Sequence, residues 1–145
     1  MISVLYVDDW SSLLSIICRF LERKGDVEVE TVLSTKDALR IFDYIPFDVI
    51  VTDYNSKESH GISLLQKTRQ KGNMTPFVFF TLEQDSCLEK EAKRYGRVAF
   101  LPKICNSGSG FEELEKAIRT VVQRPYSENI KQSIGLVSPS EGRSY

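Results

Sequence analysis

Four short apolar runs in this chain each stop at a polar residue, and few folds accommodate that pattern. Val4-Leu5-Tyr6-Val7 runs into Asp8-Asp9, and Val49-Ile50-Val51-Thr52 into Asp53. Phe77-Val78-Phe79-Phe80 runs into Thr81, and Val98-Ala99-Phe100-Leu101-Pro102 into Lys103. Unbroken apolar runs of this length suit strands covered on both faces, as in a parallel sheet. Functional groups of such a sheet collect where its strands end, at the carboxyl edge.

The segments between the runs carry helical periodicity. Trp10 to Lys24 has a stripe at Leu13, Ile16, Ile17, Phe20 and Leu21, and Gly25 supplies a stop. Val27 to Val32 alternates, as a strand with one more exposed face does. Ser34-Thr35-Lys36-Asp37 has the form of a capping box before a helix marked by Ala38, Leu39, Ile41, Phe42 and Ile45, which Pro46 ends. Phe47 to Thr52 is the third strand, and 54–60 is a polar loop. Gly61 opens a third helix with Ile62, Leu65 and Thr68 on one side, ending near Gly72-Asn73. Pro76 to Phe80 is a strand and Glu83 to Tyr95 a charged helix with a thin stripe at Leu88, Ala92 and Tyr95. Val98 to Leu101 is a short strand, and Phe111, Leu114, Ile118, Val121 and Val122 line a last helix.

The pattern is (βα)5. Right-handed crossovers put helices on both faces of one sheet, giving an α/β three-layer sandwich. The alternating second strand and the short fifth belong at the edges, which predicts the order 2-1-3-4-5. The topological switch then falls between strands one and three, beside Asp8, Asp9 and Asp53. One domain over 1–124 is expected. Residues 125–145, rich in Pro, Ser, Gly and charge, form a C-terminal tail or linker, or the start of a further domain.

Composition narrows the function classes. The chain has 145 residues, 41% hydrophobic and 27% charged, enough for one real core. Its formal charge of −1 supplies no overall basic field for nucleic acid or an anionic membrane. Cys18, Cys87 and Cys105 lack metal-ligand spacing and a disulfide pattern, and Cys18 is expected as a buried small hydrophobe. The apolar runs are too short to span a bilayer, and no signal peptide is evident. A reducing cytoplasm is the expected compartment.

Three carboxylates within about 5 Å would repel by roughly 3 kcal/mol per pair at an effective dielectric near 20. A hard cation relieves that repulsion, and Mg²⁺ is the ion these oxygen donors suit. A carboxylate is also a nucleophile able to become an aspartyl phosphate. Phosphoryl transfer asks for positioning and neutralised oxygens. Mg²⁺, the Lys103 ammonium and the Thr81 hydroxyl would each take one phosphoryl oxygen, with Asp53 as acceptor on the most central strand.

The combination resembles the receiver domain of two-component response regulators (the CheY-like family) over most of residues 2–124. It comprises Asp8-Asp9, Asp53 with Gly61 eight residues on, Thr81, and Lys103 with Phe100 three residues before it. The resemblance implies a flavodoxin-like fold and a phosphoprotein that switches partner affinity rather than an enzyme with turnover. It implies a sensor histidine kinase or phosphotransfer protein as donor to Asp53, and a downstream target protein. It further implies direct Mg²⁺ ligation by Asp9, Asp53 and the Asn55 carbonyl, with Asp8 acting through water. Thr81 and Phe100 would be the switch pair. By analogy, a homodimer would use the face of the fourth helix, fifth strand and fifth helix.

The sequence departs from the family pattern in several places. Ser56-Lys57 stands where Met-Pro is common, His60 where Asp is usual, and Leu82 where a small residue follows the Thr. Ile104 replaces the Pro after the Lys. These departures motivate an alternative, a degenerate receiver that binds proteins without phosphorylation. A haloacid-dehalogenase-like phosphatase is a weaker alternative, because Asn55 occupies the position of its second Asp. Local capping is the bland account of Asp8-Asp9 before Trp10 and of Thr81 before Glu83-Gln84.

Overall fold

Five parallel strands lie in the order β2-β1-β3-β4-β5, as the two edge assignments predict. The computed structural model describes residues 1–53, 61–82, 85–103 and 109–123. The strands are β1 (Ile2–Val7), β2 (Val27–Val32), β3 (Val49–Thr52), β4 (Phe77–Thr81) and β5 (Val98–Pro102). They alternate with α1 (Ser11–Glu22), α2 (Thr35–Phe42), α3 (Gly61–Gln70), α4 (Ser86–Lys93) and α5 (Ser109–Gln123). This is the flavodoxin-like architecture.

The side-chain period of two splits the sheet into two cores. Val4, Tyr6, Val49, Val51, Val78 and Phe80 face α1 and α5, where they meet Leu14, Ile17, Leu114 and Ile118. Leu5, Val7, Ile50, Phe77 and Phe79 face the other helices and meet Ala38, Leu64, Leu65 and Ala92. β3 and β4 are buried at every position, whereas β5 is half-buried and β2 is largely exposed. Each such aliphatic or aromatic side chain contributes about 2 kcal/mol on burial, so the central strands anchor the domain.

Local sequence sets most element ends. Ser34 caps α2, its hydroxyl accepting from the Asp37 N–H at 3.1 Å. Gly25 follows α1 with φ +81°, where a side chain would be strained. Four expectations need correction. α2 ends at Phe42, before Pro46, and the Ile41 carbonyl accepts the Tyr44 and Ile45 N–H groups. α4 is capped by Asp85, which accepts from the Cys87 and Leu88 N–H groups, so Thr81 is not its cap. Ile16 is exposed and Leu14 buried, because α1 turns its apolar stripe further toward α5 than the periodicity placed it. Cys18 is half-buried, with Sγ 3.5 Å from Glu22 Oε1, and burial followed by that carboxylate pushes its thiol pKa up.

Candidate functional site at the carboxyl edge

Asp8 and Lys103 each follow a strand while their backbone remains in the sheet. Asp8 N–H donates to Val32 O at 3.1 Å, and Lys103 N–H to Thr81 O at 2.7 Å. These bonds hold the side-chain origins as firmly as a strand residue's. Register does the rest, because Val7 lies opposite both Val32 and Thr52. Asp8 and Asp53 therefore leave neighbouring strands at one level.

Parity then sorts the polar ends into two groups. Asp8, Asp53 and Lys103 continue the alternation of Tyr6, Val51 and Leu101, which face α1 and α5. Thr81 continues that of Phe77 and Phe79, on the face that Phe100 shares. The contacts agree. Lys103 Nζ hydrogen-bonds Asp8 Oδ2 and lies 3.5 Å from Asp53 Oδ2. The Lys103 and Asp8 side chains are each only 2% exposed, so this ion pair is shielded from solvent. Asp8 Oδ1 accepts the Trp10 N–H at 3.1 Å. Burial pushes the Asp8 carboxyl pKa up, and the hydrogen bond and charge of Lys103 draw it part of the way back.

Neither Asp8 nor Asp9 caps α1. Trp10 is the N-cap of α1, without a side-chain cap bond, and Asp8 ties the turn before it. Asp9 is exposed. Asp53 is buried, and its carbonyl accepts the Thr52 hydroxyl at 3.1 Å. That carbonyl also explains Gly61. A Cβ there would sit 2.6 Å from Asp53 O and 2.9 Å from a Phe79 ring carbon. Only a glycine lets α3 begin against the backbone of Asp53.

On the other parity, Thr81 is buried and lines a pocket of about 200 Å³ with Glu89, Phe100, Leu101 and Pro102. Phe100 is half-buried and stacks on Phe79, centroids 5.1 Å apart and planes 13° from parallel. Lys93 Nζ lies 5.8 Å from the centroid of the Phe100 ring. Leu82 is 63% exposed, so it lies outside the packed core. Asn55, Ser56, Lys57, His60 and Ile104 lie outside the described residues.

Asp8, Asp9 and Asp53 offer the hard oxygen donors a small divalent cation takes. Among the described residues, no three His, Cys, Asp or Glu side chains converge into a metal cluster. Asp8 and Asp53 instead converge on the Lys103 ammonium, which supplies the positive charge their burial requires. The two carboxylates thus fit a cation, with Asp9 adjoining in sequence. Sequence reasoning passed over Trp10, whose ring centroid lies 5.9 Å from Lys103 Nζ. A sole tryptophan directly after an acidic pair was the available signal.

A family of known proteins matches this arrangement. Residues 4–119 match the response regulator receiver domain, and the chain belongs to that family, as the receiver domain of a two-component response regulator. It is 27% identical over 135 residues to the DNA-binding transcriptional regulator NtrC of Proteus hauseri, covering 91% of this chain and 28% of that protein. It is 30% identical over 89 residues to the transcriptional regulatory protein TrcR of Mycobacterium tuberculosis, covering 61% of this chain and 34% of the other. The chain thus spans about a third or less of the length of these curated relatives. Among solved structures, the chemotaxis protein CheY4 of Vibrio cholerae superposes with a TM-score of 0.72 at 28% identity, covering 83% of this chain and 98% of its own. The non-phosphorylated HemR receiver domain of Leptospira biflexa gives 0.75 at 22% identity, covering 87% and 99%, a likeness of fold.

Proposed function

We propose that Asp53 accepts a phosphoryl group from a sensor histidine kinase or phosphotransfer protein, within a receiver spanning residues 1–124. The observation that carries this reading is the Lys103 ammonium held against both Asp8 and Asp53 at the sheet edge. An Asp53 carboxylate oxygen attacks phosphorus in line, forming the O–P bond as the P–N bond to the donor imidazole breaks and that nitrogen leaves with the electron pair. Lys103 takes up negative charge on one phosphoryl oxygen, and the Thr81 hydroxyl donates to another. Mg²⁺ held through Asp8, Asp9, Asp53 and the Asn55 carbonyl supplies, when bound, neutralisation of the phosphoryl oxygens.

The added phosphate carries about −1.5 to −2 charge at pH 7. Thr81 moves toward it and Phe100 turns into the space Thr81 vacates. The surface of α4, β5 and α5 then favours a different partner. The output is a population shift, sized by the difference in partner affinity between states. This chemistry belongs in the cytoplasm, where the donor kinase presents its phosphohistidine. Among the described residues, no helix is long and apolar enough to cross a membrane.

Incubation with acetyl phosphate or phosphoramidate and Mg²⁺ tests the proposal by intact mass. One added phosphate, absent in Asp53→Asn, is the expected result. A second reading, a receiver that works by protein binding alone, draws on the two site carboxylates already being matched by Lys103. It predicts no mass gain and no spectral response to beryllofluoride.

A further inference from the structure

Trp10 is attached to both ends of the buried ion pair. Its backbone N–H donates to Asp8 Oδ1 at 3.1 Å, while Asp8 Oδ2 holds Lys103 Nζ. The indole of the same residue lies over that ammonium, 5.9 Å from centroid to Nζ, inside the roughly 6 Å over which a cation is drawn to a ring face. Lys103 has a four-carbon stem with free rotation, so its head is positioned only by what surrounds it. Two carboxylates pull it inward from the sheet edge, and the indole closes a further side. Trp10 is 44% exposed, whereas the Lys103 side chain is 2% exposed. The indole is thus one of the groups packed around an ammonium that is shielded from solvent.

We propose that Trp10 is a positioning residue for Lys103, its ring face holding the ammonium at Asp8 and Asp53 in the geometry phosphoryl transfer to Asp53 requires. The inference deepens the phosphoacceptor reading and rests on it for its kinetic consequence. Its structural half stands apart from phosphorylation. Phenylalanine keeps a ring face at this position, whereas leucine keeps apolar bulk without one.

The test compares the full chain with Trp10→Phe and Trp10→Leu by ¹⁵N-resolved NMR of the lysine ammonium groups. A buried, held ammonium exchanges its protons slowly enough to be seen, and the Lys103 signal is assigned by its loss in Lys103→Arg. The expected result is a Lys103 signal in the wild type and Trp10→Phe that broadens or vanishes in Trp10→Leu, with all three folded by circular dichroism. With acetyl phosphate, the maximal rate of Asp53 phosphorylation falls roughly threefold to tenfold in Trp10→Leu, from the strength of such contacts, with the half-saturating donor concentration unchanged. Trp10→Phe restores most of it. A Lys103 signal equally sharp in Trp10→Leu overturns the proposal, and so does an undiminished rate. A wild type that shows the held ammonium but takes no phosphate overturns the phosphoacceptor reading while the positioning role of Trp10 stands.

Discussion

The Asp8–Lys103 pair is a buried charge pair with a third charge, Asp53, sharing the ammonium. Removing one member of such a cluster leaves an uncompensated charge in a shielded site. Lys103→Met should therefore destabilise the domain by about 3 kcal/mol, while the double variant with Asp8→Asn recovers part of the loss. Urea denaturation of the four proteins of that cycle reads the coupling directly. Gly61 makes a sharper local demand. Gly61→Ala places a methyl 2.6 Å from Asp53 O, a backbone atom with no cheap way to move. We expect a loss of roughly 1–3 kcal/mol, with slower phosphorylation of the displaced Asp53. Full stability in that variant would show that the start of α3 shifts freely.

At the scale of elements, the two ends of the sheet have separate duties. The carboxyl edge gathers the site, and the opposite edge is fastened by Arg69 on α3. Its guanidinium donates to the carbonyls of Tyr95, Asn73, Thr75 and Gly96, at 2.8 to 3.2 Å, and lies over the Phe77 ring. Those carbonyls come from the turns before β4 and β5, so one side chain ties two connections together. Arg69→Lys retains charge but cannot span this fork, and a cost of about 2 kcal/mol is expected in chemical denaturation. The phosphorylation rate should not change, because the bonds lie at the far end of the sheet. Nothing in the periodicity marked Arg69, since a helix-surface arginine has the same sequence signature whether it is solvated or bonded to four carbonyls. The caps divide similarly. Ser34 was legible from its box, while Asp85 took the role that the box at Thr81 suggested, because β4 runs through Thr81 and leaves the helix to start later.

Across the whole molecule, the first and last helices are joined by a charge network that closes the domain. Glu115 on α5 is buried and pairs with Arg23 after α1 and with Arg119, which also grips Asp26 before β2. Arg23 in turn lies over the Phe20 ring. The Arg23 hydrogen bond holds the Glu115 carboxyl below its usual range, and Arg119 does the same for Asp26. A carboxyl with a depressed folded-state pKa binds protons more readily when unfolded. Its contribution is full above the ordinary Glu value of 4.5 and is lost as pH falls through the lower folded-state value. Thermal melts from pH 7 to pH 3 should therefore show a steeper acid limb in the wild type than in Glu115→Gln. Equal limbs would mean that the network adds no stability.

Sheet order, the five helices and the strand-end positions of Asp8, Asp53, Thr81 and Lys103 were legible in the amino-acid sequence. These follow from the local alternation of apolar runs and helical stripes, and a parallel sheet offers few ways to arrange them. Which of those ends meet was set by three-dimensional packing. Strand parity and register bring Asp8, Asp53 and Lys103 to one face and set Thr81 with Phe100 on the other. The indole of Trp10 over the ammonium and the reach of Arg69 to Tyr95 likewise join residues far apart in the chain, and the approach of Asp53 O to Gly61 depends on how α3 packs. Such contacts depend on angstrom-scale packing, whereas the apolar pattern records only which side of an element is buried.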